Sequence, residues 1–410
     1  MIRLLRGMHA GGKLAWLVVA GCAQALAALL RGNTSRAAIH VREVAGVLHE
    51  DLTKAVVAVQ KILPLWPTDA ETVERILVVK LDRIGDMVNT TPIFDALRDT
   101  FPRARIDIVG HPSPLTLLEA DERLNERTPY KTWMYHPVPV RLGGPRTWAL
   151  VWRLLRRRYP LVVYLRGSFP FLWLALTSRF AAARFIPGEP VVTRYLKAIE
   201  PFTGPVANRR PRLIVRAESQ YFARNLLADD GRNGPVVVIH AGASASIKIW
   251  PLERFAALAD RLKGETGARV HFLGGPEDLA GQKRIATLAK ESHAYHSTLR
   301  LPQVAGVIAS ADLFIGNDSG LSHIAGAVHT PMVVLWGPVN LSMARPETDA
   351  SRCIVLYHDM ACRSGCRETS CDNPVTFDCL LRTQIDDVFE AARALLNGEV
   401  ARRPLPLAST

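Results

Sequence analysis

Several things are scarce in this chain of 410 residues. There are six cysteines, and outside the stretch from Cys362 to Cys379 only Cys22 and Cys353 remain, too few for the disulfide framework of a small secreted fold. No long hydrophobic run is present. The longest, Leu14 to Leu30, has seventeen residues with Gln24 as its one strongly polar member, short of the roughly 20 that a spanning helix wants. Acids are missing from one region: between Arg141 and Gln220 only Glu189, Glu200 and Glu218 face fifteen Lys and Arg. That surplus of twelve is nearly the whole net charge of +13 and argues for an anionic partner at one region: nucleic acid, acidic lipid, or a phosphorylated glycan. A merely solvated basic face is the plain alternative. No RNA- or DNA-binding motif accompanies the charge, so nucleic acid is set aside.

What is present is ordinary globular material, 48% hydrophobic and 22% charged, long enough for two full cores. Residues 1–72 read as an apolar and helical extension. Arg3, Arg6 and Lys13 precede the run 14–30 and Arg31 follows it. This fits a membrane contact or a helix packed on the body better than a secretory signal, since no clean small-x-small site follows. The expected localisation is cytoplasmic, peripheral or anchored at the inner membrane. From residue 73 onward strands and helices alternate. Expected strands run over 75–80, 105–109, 161–165, 235–240, 269–273, 311–315 and 331–336, with helices over 87–100, 148–157, 252–263, 278–292 and 321–328. Such alternation predicts parallel sheets wound on both faces. A polar, glycine-rich linker at 228–234 divides them into domains 73–228 and 235–398, with ligands in the cleft where the strands end.

Four strand ends, in three groups, carry chemistry. The first is Lys80-Leu-Asp82-Arg-Ile-Gly85-Asp86, followed by Asn89, Thr90, Thr91 and Pro92. Asp86 is either a helix cap, worth about 1 kcal/mol, or a carboxylate aimed into the cleft as a general base. The second, His240-Ala-Gly242-Ala-Ser244, brings small residues to a turn that suits a phosphate. Lys248 is either a point charge for it or a surface lysine before a helix. Near it, Gly274-Gly275-Pro276-Glu277 ends a strand with a carboxylate suited to ribose hydroxyls, or simply exposed. The third is Gly316-Asn317-Asp318-Ser319-Gly320-Leu-Ser-His323, where a helix begins and free N–H groups with the positive dipole end favour an anion. The glycines are expected to permit sharp turns and close ligand approach.

Taken together, and in this order, these motifs resemble the glycosyltransferase family 9 heptosyltransferases over roughly residues 74–395. The resemblance implies the GT-B architecture, two Rossmann-like domains facing across a cleft. It also implies an inverting, metal-independent transfer from an ADP-activated heptose to a lipopolysaccharide core acceptor. By motif, Asp86 matches the catalytic base and Lys248 the lysine that neutralises donor phosphate. Asp318 and Glu277 match acids holding donor hydroxyls, and Ser319 and Gly320 the diphosphate cradle, with His323 beside it. Gly242 and Ser244 fall on the donor side; Lys80, Asn89 and Thr90 on the acceptor side, although Asn89 stands where some members have histidine. Another nucleotide sugar, a protein acceptor, or an inactive membrane-associated relative are the alternatives. An inactive relative would be expected to lose Asp86 or Lys248, and this chain keeps both. No cofactor is required by this chemistry.

Cys362, Cys366, Cys371 and Cys379 crowd into eighteen residues. In a reducing cytoplasm the spacing suggests a structural thiolate site for zinc or iron, or else free packed thiols. A similar cysteine-rich tail recurs among the family that the motifs resemble, with iron in some members.

Overall fold

The computed structural model describes residues 73–398 apart from 132–143, 184–187, 207–208, 229–233, 363–365, 367–370 and 372, together with residues 51, 53, 55 and 56. Apart from those four helical residues, the extension 1–72 and its apolar run lie outside the described residues. Among the described residues no helix is long and apolar enough to cross a membrane.

The first half runs Arg75–Lys80 (β1), Ile84–Val88 (α1), Thr91–Thr100 (α2), Arg105–Gly110 (β2), Glu126–Pro129 (β3), Pro145–Arg156 (α3), Leu161–Arg166 (β4), Arg179–Ala182 (β5) and Val191–Thr203 (α4). Its sheet has the order β3-β2-β1-β4-β5, every pair parallel. Strands of such a sheet are covered on both faces and read as unbroken apolar runs; Ile76 to Val79 are all buried. Alternate residues then feed two cores. Ile76 and Val78 pack with Phe94, Leu97 and Ile199 of α2 and α4, while Leu77 and Val79 pack with Val151, Leu154 and Phe171.

The second half runs Ala217–Leu227 (α5), Val236–His240 (β6), Leu252–Thr266 (α6), Arg269–Leu273 (β7), Leu279–Leu288 (α7), Ala294–His296 (β8), Leu301–Ala309 (α8), Leu313–Asn317 (β9), Gly320–Ala327 (α9), Met332–Trp336 (β10), Cys353–Tyr357 (β11) and Ile385–Leu396 (α10). Its sheet is β11-β10-β9-β6-β7-β8, again parallel throughout. In both sheets the strand order reverses beside the first strand, between β1 and β4 and between β6 and β9. Those switch points are where doubly wound sheets leave a crevice at their carboxyl ends.

Two expectations shift. The helix 87–100 is two helices, because Pro92 has no N–H to carry the first one onward. The Thr90 and Thr91 hydroxyls satisfy the carbonyls freed there, donating to Asp86 and Val88 at 2.9 and 2.8 Å. The helix expected over 278–292 is α7, which ends at Leu288 before the short strand β8.

Candidate active site

The first corner follows β1. Lys80 is fully buried, and its ammonium donates to Asp82 at 2.9 Å and to the Tyr195 hydroxyl from α4. Tyr195 in turn donates to the Asp86 carboxylate at 3.5 Å. Burial works against charge on Asp86, but the groups around it, Lys80 foremost, then His323 when protonated, then Arg166 and Arg83, outweigh it and hold its carboxyl below the usual range. Burial dominates at Asp82 and raises its pKa. Tyr195 is pushed well above the ordinary phenol by burial and then by Asp86, so it remains a donor. The helix α1 begins at Ile84 with Arg83 as its cap and no side-chain cap bond. Asp86 lies in the first turn and is not the cap. Its charge is kept for something other than ending a helix.

The second corner is assembled from β6, β7 and β9. Asn317 is fully buried and ties two loops together: it accepts from the Trp250 N–H at 3.1 Å and donates to the carbonyls of Ala241 and Gly242 at 3.0 and 3.2 Å. Lys248 is thereby brought to Asp318, 2.8 Å away, in an ion pair with both side chains nearly buried. His240 bridges Ser319 at 3.0 Å and Asp278 at 3.3 Å. Asp278 also accepts from the Gly275 N–H at 2.8 Å. Burial notwithstanding, these donors, His240 first, hold its carboxyl low. A Cβ on Gly242 would fall 2.0 Å from the Asp278 carboxylate, so only glycine leaves that network room.

The two corners touch. The His323 imidazole of α9 lies against Gly85, where an added Cβ would be 2.6 Å from its ring, and a Cβ added at Gly320 would be 2.8 Å from Ile84. Neither glycine has a positive φ. The expected reason for them, a sharp turn, is therefore replaced by another: they let the amino ends of α1 and α9 meet across the cleft. Burial pushes the His323 imidazole down, against Asp318 and Asp86, which favours the neutral ring. Its buried Nδ1 has no hydrogen-bond partner among the described residues.

Of the residues read from sequence, Asp86, Lys248, Asp318, Ser319, Gly320, His323 and Gly242 cluster at these corners. Glu277 and Ser244 are exposed beside them. Lys80, Asn89 and Thr90 are buried, Lys80 behind the carboxylates and Thr90 bonded to the chain, rather than lining an open surface. Tyr195, Asp278, His240 and Arg166 were missed. Asp278, one residue beyond Glu277, was legible as a second carboxylate at that strand end; Tyr195 had no local signal.

Two broader readings change. Arg209, Arg210, Arg212 and Arg216 of the basic region pair with Asp99, Asp349, Asp95 and Glu119. The unbalanced charge of that region therefore belongs to its earlier part. The metal reading gains no support. Cys362, Cys366, Cys371 and Cys379 do line one cavity with Ile247, Pro338 and Phe377. Yet among the described residues no three Cys, His, Asp or Glu converge closely enough to hold an ion. None of the four is in a disulfide; Cys371 accepts from the Phe377 N–H at 3.3 Å and Cys362 from Asn373 at 3.4 Å. Nothing among the described residues supports a zinc or iron site there.

Known proteins share this arrangement. The lipopolysaccharide heptosyltransferase 2 of Escherichia coli K12 is 27% identical over 322 residues, 69% of this chain and 89% of that protein. The lipooligosaccharide heptosyltransferase 2 of Haemophilus ducreyi is 26% identical over 311 residues, 66% of this chain and 86% of that one. Among solved structures, a family 9 glycosyltransferase from Veillonella parvula superposes with a TM-score of 0.67 at 20% identity, covering 79% of this chain and 98% of its own. The ADP-heptose lipopolysaccharide heptosyltransferase II of Escherichia coli gives 0.66 at 22%, covering 80% and 100%. These likenesses establish the GT-B fold of two facing Rossmann-like halves. The family model for glycosyltransferase family 9 (heptosyltransferase) matches residues 151–372, more than half of the chain. The chain belongs to glycosyltransferase family 9, and it is a glycosyltransferase.

Proposed function

We propose that this enzyme moves a heptose from an ADP-heptose donor to an anionic lipopolysaccharide core or related glycan, with inversion, at the cytoplasmic face of the inner membrane. The observation that carries this reading is the contact of the two corners: an ionised carboxylate, Asp86, stands across the cleft from a helix amino end flanked by Lys248, Asp318 and Ser319. The named relatives supply heptose and lipopolysaccharide as the substrate class.

Asp86 takes the proton of the acceptor hydroxyl as that oxygen attacks the anomeric carbon. The bond from that carbon to the diphosphate oxygen breaks on the opposite face, and ADP leaves with the electron pair. Negative charge grows on the diphosphate. The first N–H groups of α9 and the Lys248 ammonium, already turned toward this end by Asp318, meet it without reorganisation. Gly242, Ser244 and Ser319 border the phosphates, Glu277 faces donor hydroxyls, and His323 stays neutral between donor and base. Every step uses groups of this chain alone. Residues 73–228 form the acceptor side and 235–398 the donor side.

The test pairs turnover with binding. Asp86→Ala should lower transfer from ADP-heptose by about 10²–10⁴-fold while calorimetric affinity for ADP stays within about twofold. Retained turnover removes Asp86 as the base. Tighter binding of UDP or GDP than of ADP removes the donor assignment.

A further inference from the structure

Large apolar side chains are exposed at few places among the described residues, and half of them belong to one surface. Trp152 and Leu176 are 63% and 62% exposed, with Trp173 and Trp148 at 46% and 36%. Trp148 and Trp152 are four apart on α3, so they stand on the same face. Trp173 and Leu176 are three apart in the 3-10 helix Phe169–Leu176, where such residues eclipse. Trp148 packs edge-on against Trp173, centroids 5.9 Å apart, which joins the two pairs into one patch.

The rim of that patch carries a surplus of positive charge. Arg146, Arg153 and Arg156 are exposed on α3, and no salt bridge among the described residues involves them. No Asp or Glu occurs anywhere between Glu126 and Glu189. A protein partner large enough to cover four such side chains ordinarily meets a rim of mixed charge. Tryptophan with a surplus of arginine, against the single acid Glu126 that pairs with Arg157 and bears on Arg153, is instead the composition that settles at the headgroup level of an anionic bilayer.

Two further observations agree. Thr53 is buried and Val56 packs on the cluster that holds Val151 and Leu154, the inner face of α3. The chain that follows the apolar run 14–30 therefore reaches the body at this same layer. The 3-10 helix also starts three residues beyond Arg166, at the carboxyl end of β4, and the Arg166 charge bears on Asp82 and Asp86. A glycolipid seated in the bilayer would present its head beside the base.

We infer that the exposed Trp148–Trp152–Trp173–Leu176 patch with Arg153 and Arg156 is the surface on which this enzyme docks to an anionic phospholipid bilayer. It gives the membrane-surface reading above a location and rests on that reading, not on the identity of the donor sugar.

Hydrogen–deuterium exchange on the full-length protein tests this, with vesicles of phosphatidylglycerol and phosphatidylethanolamine against vesicles of phosphatidylcholine. Peptides over 145–158 and 169–177 should gain protection with the anionic vesicles only. In co-sedimentation, each arginine at an anionic surface is worth about fivefold at low salt, so Arg153→Glu with Arg156→Glu should lower partitioning more than about tenfold. Trp152→Ser, Trp173→Ser and Leu176→Ser together should do the same, and ADP affinity should not change in either variant. Protection confined to residues 1–72 overturns the inference, as does equal protection by phosphatidylcholine. So does protection already complete without vesicles and accompanied by dimers in size-exclusion chromatography, which would make the patch a contact between copies. Loss of vesicle binding with intact ADP affinity supports docking and leaves the transfer reading untouched. If a variant loses ADP affinity through misfolding, the footprint on the unaltered chain decides alone.

Discussion

Lys80 has no exposure, yet it governs the charge of the acid corner through Asp82 and Tyr195. Removing one partner of a buried ion network costs about 3–5 kcal/mol, so Lys80→Met should lower the unfolding free energy from denaturant titration by that much. It should also move the acid limb of the kcat/KM profile to higher pH. Asp86 is held below its ordinary value chiefly by Lys80, against burial. A depressed carboxylate adds stability above its unfolded pKa and loses it as pH falls through the folded one, so the native enzyme should keep this contribution until below the ordinary carboxylate range. In the variant, burial is left less opposed and both limbs shift upward; an unchanged profile would deny Lys80 this role. Across the cleft, Lys248→Ala should weaken ADP by about 10–100-fold in calorimetry, the loss of one charge-assisted contact, and unchanged affinity would place the phosphate elsewhere. Asp86, Lys248 and Asp318 were legible because each falls in the short stretch between an apolar strand and the helix after it. Tyr195, and the linkage of Asp278 to Ser319 through His240, were not, since these partners come from distant strands and helices that only the fold brings together.

At the level of elements, α1 and α9 meet end to end, and their contact is set by two glycines. A methyl at Gly85 would collide with the His323 ring and one at Gly320 with Ile84. Overpacking of this kind costs about 1–3 kcal/mol. Gly85→Ala should therefore depress kcat/KM by moving Asp86 relative to the donor helix. His323→Ala vacates the space, so the double variant should recover part of that loss, a coupling of about 1–3 kcal/mol in a double-mutant cycle. Strict additivity would mean that the contact does not position the base. The interior strands were readable as β-branched runs that stop at glycine or a polar turn. The four strands that were not, β3, β5, β8 and β11, are all at sheet edges. With one neighbour and less cover, a run such as Glu-Arg-Thr-Pro needs no apolar pattern to pair. The helix break at Thr91-Pro92 was written in the proline, and the glycines were recognised for the wrong reason, because their neighbours lie in the other half.

The whole molecule divides its electrostatics between the two halves. In the second, the charge at the proposed donor site is a nearly buried lysine and fixed N–H groups. In the first, the arginines of residues 209–216 are tied to acids, and the free positive surface is that of α3 and its surroundings. Exposed charge is screened far more than buried charge, with a Debye length falling from about 10 Å at 0.1 M salt to about 3 Å at 1 M. Donor and acceptor should accordingly respond differently to salt. Between those concentrations the KM for an anionic glycolipid acceptor should rise about tenfold or more, while the Kd for ADP changes less than about threefold. Steady-state kinetics with acceptor in mixed micelles, beside calorimetry with ADP, reads both quantities on the same protein. An ADP affinity as salt-sensitive as the acceptor KM would mean that surface arginines hold the donor. A KM indifferent to salt would mean that the basic first half is a solvated face. The division of labour between the halves, a screened basic approach for acceptor and a buried cradle for donor, stands on those two slopes being unequal.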